Sequence, residues 1–421
     1  MTADFVLPNQ NGSLLERIQQ MQFTDKPQAE KLAAQFIREV FPHLEITAVT
    51  LRPQAISLNS FNGFLSLANG QQLFFKTHVE QDGVIQEYYN AAMLAKAGYP
   101  VIQPLYTSEQ AEQQILIYDI VRHPSVFDTA RQLETDGFDP HLFERLTLAQ
   151  NRSDEQLYTL FEQTLSQEDR RVIITAPVHQ LFYHRLTGGR LDRFYGAETS
   201  ITLPHGIFPL SEVRQKRWII NGSEYDDTLD RLIEQAIRVL DPKELPLYAI
   251  TGHGDAHNGN VFFDQEQAVL TYFDPAFAGR HHPLLDLVKP LFHNVFAMWM
   301  YFPEEETEKL QISLHRHGDV WSIEHNYDLN EIRQMFVDSK VHRTLLPILR
   351  RMQHDGILPS DWRQMLKLGL FCCPFLTLDL KRFPPSISLL GLTMAVQMGA
   401  ESHKRRSPID QILDQIEMRL I

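Results

Sequence analysis

Ile250-Thr251-Gly252-His253-Gly254-Asp255-Ala256-His257-Asn258-Gly259-Asn260-Val261-Phe262-Phe263 is the stretch from which the rest of the chain is read. Leu270-Thr271-Tyr272-Phe273-Asp274-Pro275 follows after a short interval. An apolar run leads into a polar loop, and a second apolar run ends on an aspartate. This pattern predicts a loop, a strand over Val261–Phe263, a turn over Asp264–Gln267 and a strand over Ala268–Phe273. Such a hairpin would carry Asp255, Asn260 and Asp274 toward one end. Two carboxylates and an amide suit a Mg²⁺–phosphate site, because Mg²⁺ takes hard oxygen ligands and leaves positions for substrate phosphates. His253, His257 and Asp255 also allow a zinc cluster, since imidazole and carboxylate are ordinary zinc ligands. That alternative gives Asn260 and Asp274 no part.

The order is specific: His-x-Asp, an Asn five residues after the Asp, and a second Asp fourteen after the Asn. It resembles the catalytic loop and metal-binding Asp of kinase-fold enzymes. The wording His-Gly-Asp-x-His-x-Gly-Asn is most similar to the small-molecule branch, which includes aminoglycoside phosphotransferases, choline kinases and homoserine kinase-like enzymes. The resemblance implies Asp255 as acceptor of a substrate hydroxyl proton, and Asn260 and Asp274 as ligands of a Mg²⁺ that bridges ATP phosphates. It implies that His253 packs and orients the loop. Downstream, Pro283-Leu284-Leu285-Asp286-Leu287 resembles the same enzymes, where this Asp steadies the catalytic loop. Asp286 also suits the first turn of the helix that follows.

A chain of 421 residues is long for one core, so two or more lobes are expected. The net charge of −14 argues against a nucleic-acid partner and tilts the choice of substrate toward a cationic or sugar-like metabolite. The only cysteines, Cys372 and Cys373, are adjacent, which favours a reducing, cytoplasmic setting. The amino terminus lacks a signal-peptide pattern. Leu291–Phe302 is the longest apolar approach to a membrane span and is too short, so no membrane partner is expected.

Upstream, Met1–Gln22 carries little signal. A helix is expected from about Asp25 to Val40, with Thr24 as its cap and Ala29, Leu32, Ala33, Phe36 and Ile37 on one face. Glu45–His78 is β-rich, with strands at Ile46–Leu51, Phe64–Leu67 and Leu73–Phe75. Asn69-Gly70 is a strong hairpin signal between the last two. Lys76 ends the third strand after two phenylalanines. It resembles the kinase-fold lysine that grips the α- and β-phosphates of ATP. The resemblance places a phosphate-covering loop at Ser57–Gly63. Only one glycine is present, so Ser60, Asn62 and backbone amides would make the contacts. A helix over Val84–Lys96 carries Glu87, the expected partner of Lys76, with Glu80 as the alternative. Strands are expected at Val101–Leu105 and Gln114–Tyr118. The second runs into Asp119–Val121, which in the resemblance is the hinge whose backbone receives adenine.

Residues 123–245 show amphipathic helices, one opened by Thr175 and Pro177 and another over Leu229–Leu240. His179, His184 and Arg185 are pocket candidates there. His281 and His282 form a second histidine pair, expected at the surface or against substrate or metal. The stretch from Pro290 onward reads as helical, broken once at Pro384-Pro385. Glu304–Thr307 and His315–Asp319 read as polar links, and Phe292, Phe296, Met298 and Met300 as core.

The expected fold is α+β and protein-kinase-like, two-lobed, with a small antiparallel β-rich N-lobe and a large helical C-lobe. The expected division is an N-terminal helical extension over 1–44, a nucleotide-binding N-lobe over 45–121, and a C-lobe over 122–421 that holds the catalytic loop, 250–275. The expected activity is Mg²⁺-ATP-dependent transfer of the γ-phosphoryl group to a hydroxyl of a small molecule. Two alternatives stand beside it. One is a pseudokinase-like module that binds nucleotide or ligand without catalysis, favoured by the glycine-poor loop. The other is a kinase-fold enzyme that uses a protein acceptor or transfers a nucleotidyl group.

Overall fold

The computed structural model describes residues 13–52, 60–78, 83–108, 110 and 112–420, and of 60, 78 and 83–89 it describes the backbone alone. The chain is α+β and divides into two compact units. The first comprises Met1–Lys96, Pro100–His123 and Phe273–Ala276; the second holds Ala97–Tyr99, Pro124–Tyr272 and Phe277–Ile421.

In the first unit, helices α1 (Leu14–Met21) and α2 (Lys26–Val40) precede strands β1 (Ile46–Leu51), β2 (Ser60–Leu67) and β3 (Gln72–His78). Helix α3 (Gly83–Ala97) and strands β4 (Tyr106–Ser108) and β5 (Ile115–Asp119) follow. The sheet order is β1-β2-β3-β5-β4, and every pairing is antiparallel. Helix α1 was not legible by periodicity, yet its start is a capping box. Ser13 Oγ accepts from the Glu16 amide, and the Glu16 carboxylate accepts from the Ser13 amide. The cap of α2 is Asp25 rather than Thr24; its Oδ1 accepts from the Gln28 amide at 3.2 Å. No strand forms over Val101–Leu105. Val101 makes a single bridge and the edge strand is Tyr106–Ser108. Pro104 explains the delay, because a proline cannot donate to the ladder.

Alternation along each strand gives the sheet two apolar faces. Phe61, Leu65, Leu73, Phe75, Ile115 and Ile117 pack against Ala29, Ala33, Phe36 and Ile37 of α2. Leu116 and Tyr118 face the other way, with Phe74 and Phe273 against them. Gly63 lies inside β2, not in a phosphate loop. A Cβ there would stand 2.3 Å from the Thr50 carbonyl and 2.9 Å from the Phe75 ring. Its lack of a side chain lets β1 approach.

The second unit is mostly helical. Its first helices are α4 (Val126–Thr135) and the long α5 (Pro140–Thr164). Asp154, fully buried on α5, forms an ion pair with Lys340 and accepts from Ser339 Oγ at 2.7 Å and Gln150 Nε2 at 2.9 Å. Leu229–Val239, Trp362–Leu376 and Pro385–Gly399 pack together in the core. The expectation of an all-helical remainder is corrected here. Glu304–Thr307 lies in a helix, Pro303–Lys309. Ile312–His317 and Val320–His325 form a hairpin in a five-stranded sheet with Arg217–Ile220, Ser223–Tyr225 and Ser402–His403. The pairing of Val320–His325 with Arg217–Ile220 is parallel. Pro384 and Pro385 open the helix Pro385–Gly399, a position where a missing N–H costs nothing. The helix over Thr175–Leu186 is broken at Phe182 into a 3₁₀ turn, Pro177–Leu181, and a short helix, Tyr183–Thr187. No helix among the described residues is long and apolar enough to cross a membrane.

A Gly63→Val substitution should therefore destabilise the protein by about 1–3 kcal/mol through overpacking between strands. A lowered thermal midpoint with unchanged secondary structure in circular dichroism checks this. An unchanged midpoint would mean that β1 gives way at no cost.

Candidate active site

The second unit positions the His253–Asn260 loop on a strand, Tyr248–Gly252. That strand pairs antiparallel with Gly279–His281, matching Ile250 with His281 and Thr251 with Arg280. The pairing sets the loop beside the start of the helix Pro283–His293. Asp286 is buried in the first turn of that helix. Its Oδ1 accepts from the Gly254 amide at 2.6 Å and contacts His281 Nε2 at 2.9 Å. Gly254 has φ +79°, and a Cβ there would meet the Phe277 carbonyl at 2.4 Å. The loop thus needs glycine where it turns over the carboxylate. Burial alone would raise the Asp286 carboxyl. The His281 hydrogen bond and charge, the Gly254 amide and His253 outweigh it and hold the group below its ordinary value.

His253 is fully buried, its Nδ1 accepts from the Asp255 amide at 3.4 Å, and its ring tilts against Tyr272 at 5.7 Å. After Asp255 the chain closes on itself. The His257 amide donates to the Asp255 carbonyl at 2.9 Å, and the Asn260 amide to the His257 carbonyl at 2.8 Å. Asn260 Nδ2 donates to the Asp255 carbonyl at 3.0 Å, so Oδ1 is the atom through which this side chain could hold a cation. Strands Val261–Asp264 and Val269–Tyr272 follow, paired from Val261↔Tyr272 to Asp264↔Val269.

The Asp255 carboxylate has partners that the sequence did not single out. Lys289 Nζ lies 3.6 Å from its Oδ1. Burial would raise the Asp255 carboxyl, but Lys289 first, then His257, Arg185 and His253, hold it below the ordinary carboxylate value. Lys289 Nζ also contacts His293 Nε2 at 2.9 Å, and His293 Nδ1 contacts the Tyr301 hydroxyl at 2.7 Å. Burial, then Lys289, His257 and Arg185, push His293 well below its ordinary value. A neutral imidazole there accepts from the ammonium at Nε2 and donates from Nδ1 to tyrosine. The retrievable signal for this chain was the Asp286, Lys289, His293 spacing on an otherwise apolar helix, which puts polar groups at three- and four-residue steps.

The histidine pair His281–His282 is not at the surface: each is about 1% exposed. His282 caps the helix Pro283–His293 by accepting from the Leu284 amide at 3.3 Å. Burial and neighbouring His281 push it down to about 3. His179 is buried against the Ile173 carbonyl at 2.7 Å and burial pushes it to about 4. Cys372 and Cys373 are free and buried. Among the described residues no group of three or more His, Cys, Asp or Glu side chains forms a metal cage.

The first unit holds the remaining candidates. Lys76 is about 9% exposed, and its Nζ meets Asp274 Oδ1 at 2.6 Å. Register places Asn62 directly opposite Lys76, with Leu116 on its other side. Directly opposed residues share a face. Asp274 has φ +56°, an uncommon conformation that Asp tolerates better than most residues. Its neighbours hold it there. Phe273 packs on Phe74 and Tyr118 at 6.1 and 5.2 Å, and Asn90 Nδ2 donates to the Pro275 carbonyl at 3.1 Å. Asp119 ends β5, exposed, with Oδ1 accepting from the Ile120 amide, and Val121 is half-buried. Glu80 and Ser57–Asn59 lie outside the described residues, as do the side chains of Ser60 and Glu87.

Buried neutral histidines set a pH dependence. As pH falls below 6.5, the unfolded imidazoles of His179 and His282 bind protons that the folded ones refuse until about 4 and about 3. Stability should fall with pH across that window. Asp255 and Asp286, with lowered values, add stability that is lost only in more acidic solution. Urea unfolding at about pH 7.5 and about pH 5 measures the slope, and His282→Asn, which retains a capping side chain, should flatten it. An identical slope in the variant would remove His282 from this account.

Residues 202–322 match the family model described as the phosphotransferase enzyme family. No curated protein sequence matches the chain. Three solved structures are similar at low identity. A complex of the amicoumacin kinase hAmiN is 12% identical, covers 87% of this chain and 92% of its own, and has a TM-score of 0.47. A thermostable aminoglycoside phosphotransferase with ADP and hygromycin B is 12% identical, covers 87% and 98%, and has a TM-score of 0.45. A Plasmodium vivax ethanolamine kinase is 8% identical, covers 99% and 95%, and has a TM-score of 0.41. The resemblance carried by the His253–Asn260 loop and Asp274 is to the phosphotransferase enzyme family, whose model spans both.

Proposed function

We propose that the protein is a Mg²⁺-ATP-dependent phosphotransferase that moves the γ-phosphoryl group to a hydroxyl of a small-molecule acceptor. The observation that carries the reading is the Lys76–Asp274 ion pair, 2.6 Å long between residues 198 positions apart. A nearly buried ammonium is costly to keep, and a removable carboxylate partner is a poor source of stability. It suits a site where the ammonium turns to phosphate and the carboxylate to a cation.

In this reading Lys76 grips the α- and β-phosphates, with Asn62 and Ser60 beside them and Glu87 orienting the lysine. The backbone of Asp119–Val121 receives the adenine. Asn260 and Asp274 would hold Mg²⁺. Both offer the hard oxygens it requires. The chemistry such an ion would supply there is neutralisation of the charge on the phosphates. His253 and Asp286 keep the loop in shape. Asp255 accepts the proton of the acceptor hydroxyl as its oxygen bonds to the γ-phosphorus. The bond from that phosphorus to the β–γ bridging oxygen breaks, and ADP leaves. Lys289 and Arg185 keep Asp255 ionised, the form that can accept a proton. The family match over 202–322 supports the same class of reaction.

Asp255→Asn should lower turnover by at least about 10²-fold while Mg²⁺-ATP binding persists, as expected of a lost general base. Turnover is measured as ATP consumption over a panel of hydroxylated metabolites. Asp274→Ala should abolish the Mg²⁺-dependent thermal shift, which amounts to about 2.7 kcal/mol at a hundredfold excess over Kd in the parent protein. Full turnover in the first variant, or a preserved shift in the second, would overturn the reading.

A further inference from the structure

Within the second unit, a cavity of about 340 Å³ opens beside the helices Tyr183–Thr187 and Arg190–Tyr195. Gln180, His184, Arg185, Arg190 and Arg193 line it together with the Gly188-Gly189 backbone, and its lining contains no carboxylate. Among the described residues none of the three arginines forms an ion pair. Arg185 Nη1 donates to Thr377 Oγ1 at 3.3 Å and Arg190 Nη1 to the Leu376 carbonyl at 3.2 Å. The guanidiniums of Arg190 and Arg193 lie 5.9 and 5.2 Å from the Phe194 ring. Arg185 Nε is buried with no hydrogen-bond partner. Each guanidinium offers five N–H donors, so most of this donor capacity is unspent.

Gathering three like charges without a counter-ion is costly, and the side chains register it. Burial, then Arg185 and Arg193, push Arg190 down to about 10. Burial likewise lowers Arg185, while Asp255 raises it. Asp255 is in turn lowered by Arg185. Arg185 thus belongs both to the lining of the cavity and to the charged surroundings of Asp255.

We propose that this cavity binds a phosphate or carboxylate group of the acceptor, so that the enzyme uses acidic hydroxylated metabolites rather than amino sugars or choline-like cations. The inference rests on the phosphotransferase reading of Asp255 and narrows its substrate class. Planar guanidinium forks match the paired oxygens of phosphate and carboxylate, and the volume suits a small metabolite. The net charge of −14 pointed the other way. A local field at a site is set by the groups that line it, not by the sum over the chain.

The test uses the full chain at fixed ionic strength, with calorimetry and thermal unfolding in glycerol 3-phosphate, glycerate, inorganic phosphate, glycerol and choline. Binding of the phosphate or carboxylate probes, with none of glycerol or choline, is expected. The phosphate and carboxylate arms separate the two headgroups. Arg190→Gln/Arg193→Gln should weaken anion binding at least about tenfold, the loss expected for a charge-assisted hydrogen bond. Arg193→Glu alone, at an exposed position, should act in the same direction and serves if the double variant does not fold. The Mg²⁺-ATP shift should persist in all variants, which separates this cavity from the nucleotide phosphates. Anion binding undiminished in the variants, or choline binding in place of anions, overturns the proposal. A Mg²⁺-ATP shift with no anion binding sinks this inference alone. Anion binding without any Mg²⁺-ATP shift upholds the cavity's ligand class and sinks the phosphotransferase reading instead.

Discussion

Asp286 is the carboxylate on which the reactive loop depends. It is buried, yet it stays charged, because a backbone amide from Gly254 and the ring of His281 converge on a single oxygen. A lone buried carboxylate would cost far more than folding could offset. Here the two donors come from the two segments that the carboxylate must join, the loop and the strand Gly279–His281. Removing it would leave an amide and an imidazole unsatisfied and the loop without an anchor. The requirement for glycine at 254 follows from the same closeness.

Around Asp255 the balance is different. Asp286 is met by two donors on one oxygen, whereas Asp255 faces two cationic groups, Lys289 and Arg185. Lys289 leads on to His293 and Tyr301, a chain of polar groups in an otherwise apolar part of the unit. Low dielectric strengthens such a chain when it is satisfied and penalises any member left alone. The arrangement keeps a carboxylate ionised in a place where burial favours its neutral form. Arg185 also lines the arginine cavity.

The first unit solves its own problem by giving a sheet two apolar faces. One is closed by α2. Phe74, Leu116 and Tyr118 form the other, and Phe273 seats on them. That seat is what holds Asp274, in its uncommon backbone conformation, within reach of Lys76. A segment distant in sequence is thereby tied to the third strand by aromatic packing as much as by the ion pair. Strain at a single residue persists only where surroundings over-determine it, and they do so here on both sides of Asp274.

Local pattern determined a good deal of this. Alternation and Asn69-Gly70 were enough to place β1, β2 and β3, and the heptad-like spacing of Ala29, Ala33, Phe36 and Ile37 was enough for α2. The hairpin after Asn260 was legible because its apolar runs are short and bounded by turn residues. The ordered residues His253, Asp255, Asn260 and Asp274 could be picked out because they lie within one short stretch. What local pattern left open has a common cause. The helix Pro385–Gly399 is buried all round, so it has no polar face to show a period. The sheet built from Arg217–Ile220 and Val320–His325 joins strands of four to six residues from opposite parts of the chain. The groups around Asp255 come from three helices: Arg185 from Tyr183–Thr187, Lys289 and His293 from Pro283–His293, and Tyr301 from Met298–Tyr301. The charge environment of a residue is a sum over space. Only the tertiary structure could say that an acidic protein surrounds its candidate base with cations.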